Sequence, residues 1–575
     1  MHKASPLRFI KSRWSTVAKR GNMERPWFKY WPKGVPTSLD YPHGSLDSLL
    51  KRAGKEWPES TATLFYGQKL TYSEIDRLAS NFAANLQSIG VRKGDRVSLL
   101  MPNCPQFVVA FFGILRAGGI VVQTDPLYTA RELETLYGDA RVENVAVLDI
   151  LLEGVLKAKQ ETPVKRVVVT DMKHWLPPLT GAFYGWKKRS IEKKRGNPSA
   201  SSGEWRHDFD VMTRPGGKRP KPVRCEDDDV AVLQYTGGTT GTPKGAMLTH
   251  RNMIANAFQT AAWLPDAKLG GEKFLSVIPF SHAYGLTTSM LAPTVLGAVM
   301  ILHPDPREID KILALADATR PTIFPGVPAM FAAIVNNPAT KKRDLTSIRI
   351  CISGSAPLPS TVRNKFEDIT GSRLVEGYGL SEASPVTHCN PFFGLVKDCI
   401  GIPFPDTDAK IVDPATGLTD MAVGEAGELA VSGPQVMRGY WNKHEETALV
   451  MCGPWLLTGD IARMDEDGYF HVIDRKKDMV NCAGYKVYPR EVEEVLGTHE
   501  AVKECAALGV PVEMRGESVK VFVVLRKDMK ATAEEIKMFC RERLAAFKIP
   551  SHVEFVRELP KNAMGKVLRR SLRES

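Results

Sequence analysis

A chain of 575 residues, 43% hydrophobic and 25% charged, is too long for one hydrophobic core and divides, at roughly 100–200 residues per domain, into three or four globular units. Its nine cysteines are scattered, odd in number and without a C-x-x-C pair, which favours reduced thiols in a cytosolic compartment and argues against a zinc site. The net charge of +12 is concentrated: residues 1–22 hold six Lys/Arg and no acid, and residues 173–224 hold thirteen against four acids. That concentration excludes a general nucleic-acid binder and points to a local contact with something anionic.

The acid-free stretch 1–22 resembles a transit peptide in composition but lacks an apolar h-region for secretion, and reads rather as a disordered tail or a mis-set start ahead of Met23. From Leu70 the pattern becomes regular. Thr71-Tyr-Ser-Glu74 forms a capping box, and Ile75, Leu78, Phe82 and Leu86 share one helical face until Gly90. Arg96–Met101 reads as a strand, Pro105–Leu115 as a helix and Ile120–Gln123 as a strand. Such alternation implies a parallel sheet covered on both faces. Apolar stretches such as Leu291–Leu302 fall short of the ~18 residues that span a bilayer.

The segment 173–224 breaks the alternation. Trp175, Leu176, Leu179, Phe183, Tyr184 and Trp186 precede and adjoin the runs Lys187-Lys188-Arg189 and Lys193-Lys194-Arg195, after which the chain turns Gly/Ser/Pro-rich. Aromatics beside a polybasic run suit an anionic lipid surface, and they suit equally a solvated insertion with a few buried anchors.

The centre of the chain is Gln234-Tyr-Thr-Gly-Gly-Thr-Thr-Gly-Thr-Pro-Lys-Gly-Ala-Met-Leu-Thr-His250. The apolar run Val230–Leu233 leads in, and helical spacing follows from Asn252 with Thr249 as cap, so the expected order is strand, glycine-rich loop, helix. Gly237, Gly238 and Gly241 free backbone N–H groups to face an anion, Thr236, Thr239 and Thr240 add hydroxyl donors, and Lys244 adds charge. The P-loop pattern is not met, because Lys244 is followed by Gly245, Ala246 and Met247.

Other candidates follow in order. His282 lies in the turn Pro279–Gly285, where a structural role would suffice. Cys351–Leu358 ends a strand in small residues. In Glu376-Gly-Tyr-Gly-Leu-Ser-Glu382, Tyr378 offers a stacking face and Glu382 a hard carboxylate suited to Mg²⁺. The run Met437-Arg-Gly-Tyr-Trp441 carries no assigned role. Asp460 falls in a Gly-containing turn and could hold a ribose diol or simply form the turn. Asp474–Asp478, five consecutive charges, reads as a linker. Beyond it come helix Arg490–Leu496, strands near Ala506 and over Val519–Leu525, helix Ala533–Phe547, and a basic tail with Lys566 after a glycine.

All these motifs occur in the order found in the long-chain fatty acyl-CoA synthetases of the adenylate-forming superfamily, which the chain resembles from Met23 to Arg570. The resemblance implies an α/β fold: a large domain, 23–474, of layered subdomains with sheets flanked by helices, then a small mobile α+β domain, 475–575, rotating about a hinge at Lys477. It implies ATP, Mg²⁺ and coenzyme A as cofactor and co-substrates, and a fatty acid as acceptor. Thr236, Gly237, Gly238, Thr239, Thr240, Gly241 and Lys244 would hold the ATP phosphates, and Thr236 and Glu382 the Mg²⁺. Gly354, Ser355, Ala356, Glu376, Gly377, Tyr378, Gly379 and Ser381 would surround adenine and acyl-adenylate, and Asp460 and Arg475 the ribose. Lys566 would bridge carboxylate and α-phosphate, with Glu382 and His282 completing the catalytic set, His282 at the mouth of the acyl tunnel. Ala483, Gly484 and Tyr485 would meet coenzyme A. Two positions depart from the family: Ser381 stands where threonine is more frequent, and Ala483 where serine or glycine is usual. The expected protein is cytosolic, with contact to an anionic membrane surface as one of the two readings of the basic insert, no nucleic-acid partner, and an oligomeric state left open, a homodimer included. The alternatives are a ligase for medium-chain or aryl acids, or a catalytically silent scaffold on this fold.

Overall fold

The computed structural model describes residues 25–573 apart from 178–179, 182–203, 215, 217–218, 237–242, 483–484, 513–515 and 562–564. It is a mixed α/β protein of two packing units, one built on Tyr30–Thr407 with Gly433–Ala448, the other on Pro26–Lys29, Asp408–Ser432 and the chain from Leu449 onward.

The first unit holds two large sheets. The seven-stranded sheet runs in the order Arg206–Asp208, Arg166–Thr170, Asn144–Leu148, Arg96–Leu100, Ile120–Gln123, Val230–Thr236, Lys244–Thr249. Every neighbouring pair is parallel except the last. Strands such as Asn-Val-Ala-Val-Leu148 are buried along their whole length, as a parallel sheet covered on both faces requires. Helix Tyr72–Ser88 starts at the Thr71/Glu74 capping box and ends before Gly90, which takes φ +98°. It lies close against the fully buried helix Pro105–Arg116. A Cβ on Gly113 would stand 2.7 Å from the Phe82 ring, so glycine sets that approach.

The nine-stranded sheet has a parallel centre, Ile350–Ser353 between Ile323–Gly326 and Arg373–Gly379, with antiparallel strands at both ends. The second unit holds two five-stranded sheets. One is formed around Gly427–Ser432 and Trp455–Met464, the other around Val502–Val512 and Gly516–Leu525. The latter packs Val521 and Val523 against Val492 and Leu496 of helix Pro489–Gly497 and Ile536 of helix Ala533–Arg541. Among the described residues no helix is long and apolar enough to cross a membrane.

Four expectations change. The loop is followed by a strand, not directly by a helix: Lys244–Thr249 pairs antiparallel with Val230–Thr236, and the helix begins only at His250, capped by Thr249. Part of 173–224 is ordered core. Arg206–Asp208 adds an edge strand, Trp175 and Phe209 are buried against each other, and Trp175 donates to Asp210 at 2.8 Å. Leu179, Phe183, Tyr184, Trp186 and the two polybasic runs lie outside the described residues. Asp460 sits within strand Trp455–Met464 rather than a turn, and Asp474 and Arg475 close the partner strand Phe470–Arg475. The last long helix stops at Arg541, where the N–H of Leu544 turns back to the Cys540 carbonyl and its side chain joins the core.

Candidate active site

The glycine-rich loop leaves the sheet after Thr236 and returns at Lys244. Gly237, Gly238, Thr239, Thr240 and Gly241 lie outside the described residues, as does the Thr236 side chain, so the two ends define the site. At the entry, Gln234 donates to the Ser281 carbonyl at 3.0 Å and ties this strand to the turn carrying His282. The His282 ring caps the short helix Ala283–Leu286, its Nδ1 accepting from the Tyr284 N–H at 3.2 Å. At the exit, strand Lys244–Thr249 is covered by the segment Met437–Trp441. The Met247 N–H donates to the Gly439 carbonyl, Arg438 to Met247 and Trp441 to Gly245, at 2.9, 3.0 and 2.8 Å.

That pairing places Tyr440 under the loop's lysine. The Lys244 ammonium lies 5.4 Å from the Tyr440 ring centroid, inside cation–π range. The Tyr440 hydroxyl donates to Glu382 Oε1 at 2.7 Å, and the Met437 N–H donates to the Glu382 carbonyl at 2.7 Å. Burial, followed by the Glu382 charge, pushes the Tyr440 phenol far up, so it stays a donor.

The small-residue turns fall at the carboxyl ends of the parallel strands, where ligands of open α/β sheets bind. Tyr284 packs beneath them, donating to the Gly326 and Ile352 carbonyls at 3.1 and 2.8 Å. A Cβ on Gly354 would meet the Tyr284 ring at 3.0 Å. Ser355 holds φ +71°, a backbone state that non-glycine residues keep only where surroundings impose it. Ser355 and Ala356 are exposed. Glu376 Oε2 accepts from the Leu358 N–H at 3.1 Å. Gly377, Tyr378 and Gly379 end the same strand as Glu376, and a Cβ on Gly379 would fall 2.2 Å from the Pro385 carbonyl oxygen. Ser381 and Glu382 open the next turn, half-buried. The structure therefore gathers the Gly354, Glu376–Gly379 and Ser381–Glu382 groups at one end of one sheet.

In the second unit Arg475 Nε lies 2.7 Å from Asp460 Oδ1, and Asp460 is buried. The Gly459 N–H donates to Glu428 at 3.0 Å and Lys476 pairs with Glu428 at 2.7 Å. Lys566 follows Gly565 at φ +75°. Much of the Lys566 surface is exposed, yet protein crowds its charged end. Desolvation, then the Arg475 charge, hold the ammonium down at about 8, with Asp460 pulling the other way. Lys477 is likewise lowered, first by desolvation. Strands Val480–Cys482 and Tyr485–Val487 pair antiparallel; Ala483, Gly484 and the side chain of Tyr485 are outside the described set.

Tyr440 is the site residue that sequence reasoning left without a role. Its partner Glu382 lies 58 positions away and Lys244 lies in a different strand, relations that spacing does not reveal.

Strands that flank a glycine-rich loop in one sheet, and small residues with a carboxylate gathered at the strand ends of another, are the elements of an α/β nucleotide-binding fold. The AMP-binding enzyme family matches residues 50–441 and the AMP-binding enzyme C-terminal domain residues 491–566, so the chain belongs to the AMP-binding enzymes. It is 47% identical over 559 residues to a long-chain-fatty-acid–CoA ligase of Bacillus subtilis (strain 168), covering 96% of this chain and 98% of that one. A feruloyl-CoA synthase of an Amycolatopsis species is 33% identical, with 92% and 98% covered. Among solved structures, ATP-bound MatB from Rhodopseudomonas palustris superposes with a TM-score of 0.78 at 28% identity over 92% of this chain and 98% of that one.

Proposed function

We propose that the protein activates a long-chain fatty acid in two steps. A carboxylate oxygen attacks the α-phosphorus of ATP, forming acyl-adenylate and releasing pyrophosphate. The sulfur of coenzyme A then attacks the acyl carbonyl, its thiol proton is lost and AMP leaves. The observation that carries this reading is the 47% identity to a long-chain-fatty-acid–CoA ligase across 96% of the chain. The site chemistry agrees with it, since anionic reactants need fixed cations and donors where charge builds up.

The roles in this reading are those the family resemblance implies. Lys244 and the loop donors take the phosphates, Glu376 to Ser381 the adenine side, Asp460 with Arg475 the ribose, and Lys566 the attacking carboxylate and α-phosphate. The donor set fits Mg²⁺: Glu382 supplies a hard carboxylate whose Oε1 already accepts a hydrogen bond, leaving Oε2, and a magnesium ion takes one or two carboxylates and keeps its waters. When bound, Mg²⁺ would offset phosphate charge.

The test is pyrophosphate release measured over a panel of free acids. Long-chain saturated and monounsaturated acids are expected to give the highest kcat/KM. Equal turnover of medium-chain or aryl acids would remove the chain-length assignment, and no release with any acid would leave the silent-scaffold reading. The polybasic runs add a peripheral membrane role to this reading. Six of their Lys/Arg changed to Gln should remove most binding to anionic vesicles, at about 1 kcal/mol per charge as an upper limit, while turnover of dispersed fatty acid persists. Unchanged binding at low salt would make the insert a solvated loop.

A further inference from the structure

We infer that Tyr440 is a positioning residue with two separable roles. Its hydroxyl orients Glu382 as a metal ligand, and its ring supports Lys244 against the nucleotide phosphates. The inference rests on the assignment of Glu382 to Mg²⁺ made above.

The geometry is specific. Tyr440 is 7% exposed, and its backbone is fixed on both sides: its N–H donates to Thr447 Oγ1 at 2.9 Å, and the residue bridges Ala246 of the loop's exit strand. Gly439 permits this. It takes φ +144° and a Cβ there would stand 2.8 Å from Thr447 Cγ2. A ring so held has little freedom, and its two ends reach the two groups on which the phosphates and their cation would depend. Oη contacts Glu382 Oε1 at 2.7 Å, while the ring face meets the Lys244 ammonium at 5.4 Å.

A carboxylate has two oxygens. A donor fixed on Oε1 takes one of its lone pairs and restrains rotation of the carboxylate, so Oε2 would be the oxygen held toward a metal. Outer partners of this kind orient the ligand and typically change metal affinity by about 10–100-fold when removed. The pairing also joins the two halves of the site mechanically. Glu382 belongs to the turn after one sheet and Lys244 to a strand of the other, and Tyr440 touches both.

Three variants separate the roles. Tyr440→Phe keeps the ring and removes the hydroxyl, Tyr440→Leu removes both, and Glu382→Gln tests the metal assignment itself. The readout is Mn²⁺ binding by electron paramagnetic resonance in the presence of α,β-methylene-ATP, with nucleotide affinity measured separately at saturating metal and the melting temperature recorded as a folding check. Tyr440→Phe is expected to weaken Mn²⁺ binding about tenfold while nucleotide affinity at saturating metal stays as in the wild type. Tyr440→Leu should lose nucleotide affinity as well. Should Tyr440→Leu fail to fold, the Phe variant still decides the hydroxyl's role. Wild-type Mn²⁺ binding by Tyr440→Phe, with Glu382→Gln weakened, overturns the positioning role and leaves the metal assignment standing. Wild-type Mn²⁺ binding by Glu382→Gln overturns the metal assignment, and the inference with it. A hydroxyl that only satisfied its own burial would lower the melting temperature and leave Mn²⁺ binding untouched.

Discussion

The lowered Lys566 ammonium should make the adenylation half-reaction titrate where a lysine ordinarily would not. With a pKa of about 8 in the free enzyme, roughly nine-tenths of the molecules carry the charge at pH 7 and about one-tenth at pH 9. If that charge bridges carboxylate and α-phosphate, kcat/KM for fatty-acid-dependent ATP–pyrophosphate exchange should fall above pH 8, approaching tenfold per unit. The assay compares three proteins at saturating Mg²⁺ between pH 6.5 and 10. Lys566→Arg keeps its charge throughout this range, so its profile should be flat above pH 8, at a reduced level because the guanidinium is larger. Lys566→Ala should be lower by about 10²–10³-fold at every pH, the typical effect of deleting one charge-stabilising donor. It should show no alkaline limb and should still convert supplied acyl-adenylate and coenzyme A to thioester. The same limb persisting in Lys566→Arg would assign it to another group and refute the reasoning, as would equal loss of both half-reactions in Lys566→Ala.

Burial holds the His250 ring down to about 4, and its Nδ1 accepts the Leu46 N–H at 3.0 Å. Its folded value thus lies below the unfolded ~6.5. The resulting stability, about 3 kcal/mol, is fully present above pH 6.5 and is lost as pH falls through that window toward 4. Urea midpoints for wild type and His250→Gln should converge across it, and parallel curves would count against this account. Asp47 pairs with Arg116 at 2.8 Å with both side chains buried, whereas Asp76, which also meets Arg116, is a third exposed. Asp47→Ala removes the more buried of Arg116's two carboxylate partners and leaves only the partly exposed Asp76, so it should cost more than Asp76→Ala while staying below the about 3–5 kcal/mol of a fully stranded buried charge. Equal melting temperatures for the two would contradict it.

Local signals were the legible ones. The Thr71 and Thr249 caps, strands Arg96–Leu100 and Ile120–Gln123, and helix Pro105–Arg116 stand where periodicity and capping chemistry place them. Strand Lys244–Thr249 was hidden because Lys-Gly-Ala-Met-Leu-Thr lacks the β-branched alternation of a strand, and its conformation comes from pairing with Val230–Thr236. Asp460 looked like a turn residue because Gly459 precedes it; the strand accommodates that glycine at φ +72°. Leu544 and Phe547 keep apolar spacing past Arg541, which extends the expected helix to Phe547, beyond its actual end. The chemistry-bearing motifs could be recognised singly. The gathering of those in the first unit, with Tyr440 between Lys244 and Glu382, depends on pairings across the fold that no local window contains.

The cover that Met437–Trp441 lays over the loop's exit strand also solves a problem unrelated to catalysis. Lys244–Thr249 is the last strand of the seven-stranded sheet, and an unpaired outer strand is a ready template for pairing with another chain. At the opposite edge the sheet ends in Arg-His-Asp208, three residues whose brevity and charge discourage such pairing. On the loop side the strand is largely buried and apolar at Ala246 and Leu248, so charge cannot protect it, and backbone bonds to Gly439, Arg438 and Trp441 do so instead. A chain cut before Met437 would therefore expose a bare β edge, and such a fragment would be expected to self-associate through it.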